Sequence, residues 1–212
     1  RNPRERDDRM ARSRSLQPIR VLVVGAGEIG HQRAAAARSL PGVELVGFVE
    51  SDSDRREIVQ SRFRVPTFES IEEAQRRIRS THVVICTPPA SHLPLVQAAL
   101  HCGCHVLCEK PLAISPEEAR EMVRLSEELG LTLGTGFNHR FLAPIKALVH
   151  QVRSGKIGDV QSIRAVIGHR ATQAFRSRWN CDVETSGGGT LIDNGSHAAD
   201  LIFQLVGECE VT

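Results

Sequence analysis

Short apolar runs alternate with longer segments of mixed polarity along most of this chain, a spacing that predicts βαβ units. Residues 19–24 read as a strand, and 29–40, rich in alanine, as the helix after it. A second strand is predicted over 43–49, stopped by Glu50. Residues 52–62 and 70–78 read as helices separated by a turn around Pro66. Strands at 82–86 and 105–108 bracket a helix at 91–100. Ser115-Pro116-Glu117-Glu118 is a helix start, with a capping serine, proline at the first position and early acids. That helix runs to about Leu129, stops at Gly130, and is followed by a strand at 131–135. Such repeats predict a doubly wound α/β sheet over residues 16–138.

The texture changes after residue 138. Residues 141–153 predict a helix closed by Gly155, and 159–169 a longer strand of alternating exposure. A polar loop over 171–186 holds the only tryptophan, Trp179. An apolar-faced helix is predicted over 190–206, and 210–212 read as the first residues of another strand. Residues 139–212 therefore read as the start of an unfinished second domain. Residues 1–15 read as a disordered leader, without the apolar stretch of a signal peptide or anchor.

Composition narrows the class. Of 212 residues, 41% are hydrophobic and 25% charged, the balance of an ordinary soluble domain. The net charge of +2 is misleading, because six arginines against three acids fall within the first 15 residues. The rest of the chain is close to neutral, which argues against nucleic acid or an anionic membrane as partner. No stretch is long and apolar enough to span a bilayer, and a cytoplasmic location is expected. Cys102, Cys104 and Cys108 beside His101 and His105 invite a zinc reading. Zinc spacing would need a second matching pair, and Cys104 and Cys108 flank a buried strand whose side chains alternate between faces. Buried free thiols and no metal are the expectation.

The chemistry concentrates in four places. Gly25-Ala26-Gly27-Glu28-Ile29-Gly30 lies between the first strand and its helix, where backbone N–H groups and the helix N-terminus can hold a pyrophosphate. Glu50, 20 residues beyond Gly30, can accept hydrogen bonds from a ribose diol and repel a 2′-phosphate, which predicts NAD as cofactor. Arg55 and Arg56 follow closely and can soften that preference toward NADP. Thr87, Pro88 and His92 form a preset loop on the cofactor side, with His92, at a helix start, either a capping or surface residue or a ligand contact. Glu109 and Lys110 are delivered to a strand tip, where ligands of open α/β sheets bind. Lysine suits that place because its pKa moves readily when partly desolvated, and Pro111 keeps residue 110 out of the α region. Finally, Gly187-Gly188-Gly189 precedes Asp193, Asn194 and His197. Asp193 and His197 are four residues apart on one predicted helix face, and a carboxylate beside an imidazole makes an acid/base pair. Arg176, Arg178 and Trp179 in the polar loop are candidate substrate contacts, against the plainer reading of the two arginines as part of a solvated loop.

Together these residues resemble the glucose–fructose oxidoreductase / inositol dehydrogenase / rhizopine-catabolism (Gfo/Idh/MocA) family. The likeness covers residues 19–212. It rests on Gly25-x-Gly27-x-x-Gly30, Thr87-Pro88-Pro89-x-x-His92, Glu109-Lys110-Pro111, Gly136-Phe137-Asn138-His139-Arg140-Phe141, and Gly187-Gly188-Gly189 through His197. The resemblance implies a Rossmann domain and a C-terminal α/β domain with an open, mostly antiparallel sheet, incomplete here. It also implies NAD(P)-dependent oxidation or reduction at a sugar, polyol or sugar-derivative carbon by a homo-oligomer, dimer or tetramer. Lys110 matches a catalytic lysine, Asp193 and His197 an acid/base pair, and Asn138 and Arg140 a segment near cofactor and substrate. Two rival readings remain. One is an NAD-dependent glycosidase of the family, which keeps the same residues. The other is a non-catalytic nucleotide- and sugar-binding regulator, which need not retain the acid/base groups and is disfavoured by Lys110, Asp193 and His197.

Overall fold

A computed structural model of the protein describes residues 18–168 and 179–208. Six strands form one sheet: β1 (Ile19–Val24), β2 (Val43–Val49), β3 (Thr67–Phe68), β4 (His82–Ile85), β5 (His105–Cys108) and β6 (Leu133–Thr135). Their order is β3-β2-β1-β4-β5-β6 and every pairing is parallel. This is the order of a dinucleotide-binding doubly wound fold, in which the strand order reverses between β1 and β4. β3 escapes a pattern reading because two residues carry no periodicity, and the turn around Pro66 hides it.

Six helices accompany and follow these strands: α1 (Glu28–Ser39), α2 (Ser53–Phe63), α3 (Ile71–Ile78), α4 (His92–His101), α5 (Pro116–Glu128) and α6 (Ala143–Arg153). Alternation along β1 divides the core. Leu22 and Val24 enter one apolar cluster with Val96, Leu100 and Met122, while Val21 and Val23 enter another with Ala34, Phe48 and Phe63. Helices therefore cover both faces, which is why β1 is apolar without interruption from Val21 to Val24. Cys104 and Cys108 both lie in the first cluster: they are four positions apart, and alternation puts an even separation on one face, so it does not part them as expected. Serine caps set the helix starts. Ser70 Oγ accepts from Glu73 N (3.1 Å) and Ser115 Oγ from Glu118 N (3.2 Å).

The part after residue 138 departs from expectation. Among the described residues no second sheet exists, and the one sheet is parallel throughout, not mostly antiparallel. Residues 159–168 hold no strand and are mostly exposed. Alternating polarity marks a chain that could pair, but a strand exists only where a neighbour takes its backbone groups, and none lies beside it among the described residues. The apolar residues here serve helices instead. α6 lies against α9 (Gly195–Val206), which follows α7 (Val183–Ser186) and α8 (Thr190–Asp193). The expected helix over 190–206 is thus broken at Asn194. The leader, residue 169, the loop residues up to 178 with Arg176 and Arg178, Cys209 and the strand at 210–212 lie outside the described residues.

Candidate active site

Backbone hydrogen bonds align the residues that end the central strands. Gly25 N donates to Val49 O (2.8 Å), Cys86 N to Val24 O (2.8 Å), Glu109 N to Ile85 O (2.9 Å) and Gly136 N to Cys108 O (2.7 Å). The ladder thereby carries one row of residues across the C-terminal edge of the sheet. Above this row opens a cavity of about 740 Å³. It is lined by Gly27, Glu28 and Ile29 from the glycine turn and by Thr87, Glu109 and Lys110 from the strand tips. Asn138, Trp179, Asp193 and His197 complete the predicted residues in the lining.

The glycine turn fits a dinucleotide. Gly25 has φ +94°, a left-handed conformation that glycine adopts without strain. A Cβ at Gly30 would overlap the Gly25 carbonyl oxygen, so α1 rests directly on the turn. Gly27 has open space where a Cβ would stand, and no side chain caps the first turn of α1. Those N–H groups can meet an anion from the cavity. Glu50 Oε2 accepts from Ala26 N (2.7 Å) and Oε1 from Asp52 N (3.1 Å), which places its carboxylate at the mouth of the turn. Arg56 is tied to the Glu50 and Ser51 carbonyls and to Glu69, whereas Arg55 lines the cavity.

His92 opens α4 as expected, but its side chain neither caps the helix, nor lies at the surface, nor lines the cavity. It is fully buried, with Nδ1 3.0 Å from Pro111 O and 3.1 Å from Leu112 O, and Nε2 2.9 Å from Thr87 O. The ring is a wedge joining the Thr87-Pro88 loop to the segment just after Lys110. Glu109 accepts from Arg33 Nε (2.6 Å) on α1. A Cβ at Gly136 would come within 2.8 Å of that carboxylate, so glycine makes room for the pair. Arg33 was not singled out from the sequence, where it reads as an ordinary helix-surface arginine. Cys86 also lines the cavity; burial, then the Glu109 charge, pushes its thiol far up, so it is no nucleophile.

Lys110 reaches the other half of the site. Its ammonium pairs with the Asp193 carboxylate and also donates to the Asp193 carbonyl (3.2 Å), both side chains being largely buried. A one-residue interruption at Asn194, whose own backbone stays helical (φ −94°, ψ −33°), separates Asp193, at the end of α8, from His197, near the start of α9, and both side chains line the cavity. The Asp193 carboxylate is taken by Lys110. His197 is buried, and its Nδ1 has no hydrogen-bond partner. Its ring stacks on His139 at a centroid distance of 3.8 Å and an interplanar angle of 15°. Burial chiefly, then His139 and Lys110, pushes His197 down to about 4, against the opposing pull of Asp193 and Asp200. It is therefore a neutral imidazole near pH 7, able to accept a proton. Asn194 supplies the backbone turn, taking His197 N at 3.1 Å, and does not line the cavity.

Arg140 is committed elsewhere. Its Nε stands 2.9 Å from each oxygen of Asp200, which is nearly fully buried, and its guanidinium lies 5.6 Å from the Phe137 ring centroid. The pair docks α9 onto the segment leaving β6. Asp200, three residues after His197, shares its helix face but looks in sequence like any surface acid. Arg140→Ala leaves a buried carboxylate unpaired and is expected to cost roughly 2–3 kcal/mol, between exposed and fully buried pairs. Urea denaturation checks this, with a smaller loss for Asp200→Ala, whose partner can still reach water.

Residues 19–137 match the oxidoreductase family with an NAD-binding Rossmann fold, and 145–211 match the GFO/IDH/MocA C-terminal domain. The chain is 30% identical over 204 residues to D-glucoside 3-dehydrogenase of Escherichia coli K12, covering 93% of this chain and 57% of the relative. It is 30% identical over 190 residues to glucose-6-phosphate 3-dehydrogenase of Bacillus subtilis 168, covering 88% and 53%. GenD2 from gentamicin A biosynthesis, solved in complex with NAD, superposes with TM-score 0.79 at 26% identity, over 92% of this chain and 55% of that one. The chain thus spans little more than half the length of these relatives. A glycine turn built for a pyrophosphate, the Glu50 carboxylate at its mouth and matches over both segments place this chain in the Gfo/Idh/MocA family of NAD-binding oxidoreductases.

Proposed function

We propose that the protein is an NAD-dependent dehydrogenase acting on a hydroxyl carbon of a sugar, polyol or sugar derivative. One observation carries this reading. The ammonium of Lys110, the carboxylate of Asp193 and the neutral imidazole of His197 converge on the cavity that the glycine turn also lines. The relatives named as glucoside and sugar-phosphate dehydrogenases support the substrate class.

Bound NAD supplies a hydride acceptor, and its reduced form a donor. The residues supply the rest. The first-turn N–H groups of α1 hold the pyrophosphate, and Glu50 takes the ribose diol. Lys110 donates to the substrate oxygen and offsets alkoxide charge as it develops. His197 accepts the hydroxyl proton. Asp193 holds Lys110 in place, and its charge favours the protonated form of His197. Asn138 and Trp179 line the substrate end of the cavity. Residues 16–138 form the cofactor domain and 139–212 the start of the substrate domain in this reading. A cytoplasmic location and a homo-oligomer belong to the same proposal; the exposed apolar side chains Phe141, Val166 and Leu191 bear on the oligomer alone. Among the described residues no helix is long and apolar enough to cross a membrane.

Titration with NADH and NADPH, followed by nicotinamide fluorescence, tests the cofactor half. NADH is expected to bind more tightly, and Glu50→Ala to weaken it by about tenfold, the loss of a charge-assisted hydrogen bond. Equal binding by the variant would remove the role given to Glu50. Oxidation of one or more members of a sugar and polyol panel, with NADH accumulating, tests the reaction.

A further inference from the structure

The stacked pair of imidazoles in the active site is absorbed by neither the cofactor reading nor the proton-transfer scheme. His139 belongs to a single 3₁₀ turn, Asn138–Phe141, set just after β6. Its ring covers one face of His197 at 3.8 Å, while Phe137 approaches edge-on with centroids 6.0 Å apart. The imidazole of His197 is thus confined by aromatic contacts, while its buried Nδ1 has no partner to fix it. A ring without that hydrogen bond needs another means of holding its plane.

We propose that His139 is a positioning residue: its ring sets the plane of His197 and couples the protonation of one imidazole to that of the other. This rests on the dehydrogenase reading above and deepens it. Two imidazolium rings at stacking distance repel, so a proton on His139 disfavours one on His197. The other charges facing His197 are Lys110 from the β5 tip, which acts in the same sense, and Asp193 from α8 and Asp200 from α9, which oppose it. Asp200 shares its charge with Arg140. Burial, Lys110 and His139 together outweigh the two acids, and His197 is kept free to take a proton at neutral pH.

The test uses the protein with ¹⁵N-labelled histidine. The His197 titration is followed by NMR, and kcat/KM is profiled against pH, in wild type, His139→Phe and His139→Ala. Phenylalanine keeps a stacked ring and removes the charge; alanine removes both. In both variants the His197 midpoint is expected to rise by about one pH unit, and the acid limb of kcat/KM to move with it. The plateau rate is expected to fall about tenfold in His139→Ala, as a loosened catalytic group implies, and to be partly restored in His139→Phe. An unmoved midpoint and limb, with only stability lowered, would reduce His139 to packing and overturn the proposal. His197→Asn separates the two readings. If it keeps turnover while the midpoint still moves in His139→Phe, the coupling stands and the acid/base assignment fails.

Discussion

Replacing Lys110 with alanine is expected to lower kcat by about 10²- to 10⁴-fold, the range for a positioned group that handles charge at the reacting centre. NADH affinity is expected to stay within about threefold, because the pyrophosphate and ribose contacts of this reading lie at the glycine turn. The reasoning is geometric. The ammonium is largely buried and already faces the cavity, held by the side chain and carbonyl of Asp193. Deleting it removes the cation that would meet the developing alkoxide and leaves the Asp193 carboxylate without its partner. Lys110→Arg keeps the charge but carries a planar fork too large for that place, and recovers little. Steady-state kinetics with a substrate from the sugar panel, paired with an NADH titration, reads both parts. Turnover within threefold of wild type would end the catalytic assignment.

Gly30→Ala is expected to abolish tight NADH binding. A Cβ at this position meets the Gly25 carbonyl oxygen, which is backbone and cannot rotate away. Either α1 lifts off the turn or the turn itself deforms, and both displace the N–H groups that would hold the pyrophosphate. Overpacking of this kind costs on the order of 3 kcal/mol, about a hundredfold in affinity if it falls on the bound geometry. Gly134→Ala in β6 is the control, since it lies outside the cavity lining and its Cβ would meet only ordinary contacts at 3.7 Å and beyond. Fluorescence titration of both variants, with circular dichroism to verify folding, decides the matter. Similar losses in the two would mean that the close contact at Gly30 is not what matters.

Much of the first half of this chain is legible from residue pattern alone, for a physical reason. Strands buried on both faces are apolar along their buried length, and parallel connections must pass through helices, so β1, β2 and β4 announce themselves. Capping serines do the same for α3 and α5. The failures share a different cause. Residues 159–168 alternate as a strand should, but alternation cannot say whether a neighbour is there to pair. Asp193 and His197 have helical spacing and both line the cavity, yet the carboxylate goes to a lysine 83 positions away in sequence. Arg140 reads as a ligand-facing cation until Asp200, 60 positions on, is seen to hold it. Charge and spacing identify groups capable of chemistry; which partner each takes is decided by the fold.

The His92 wedge has a mechanical consequence. With backbone carbonyls at both ends of one aromatic ring, the cofactor-side loop and the segment after Lys110 form a single stiff corner. Their separation is set by the covalent width of an imidazole, and a jolt to one is carried to the other.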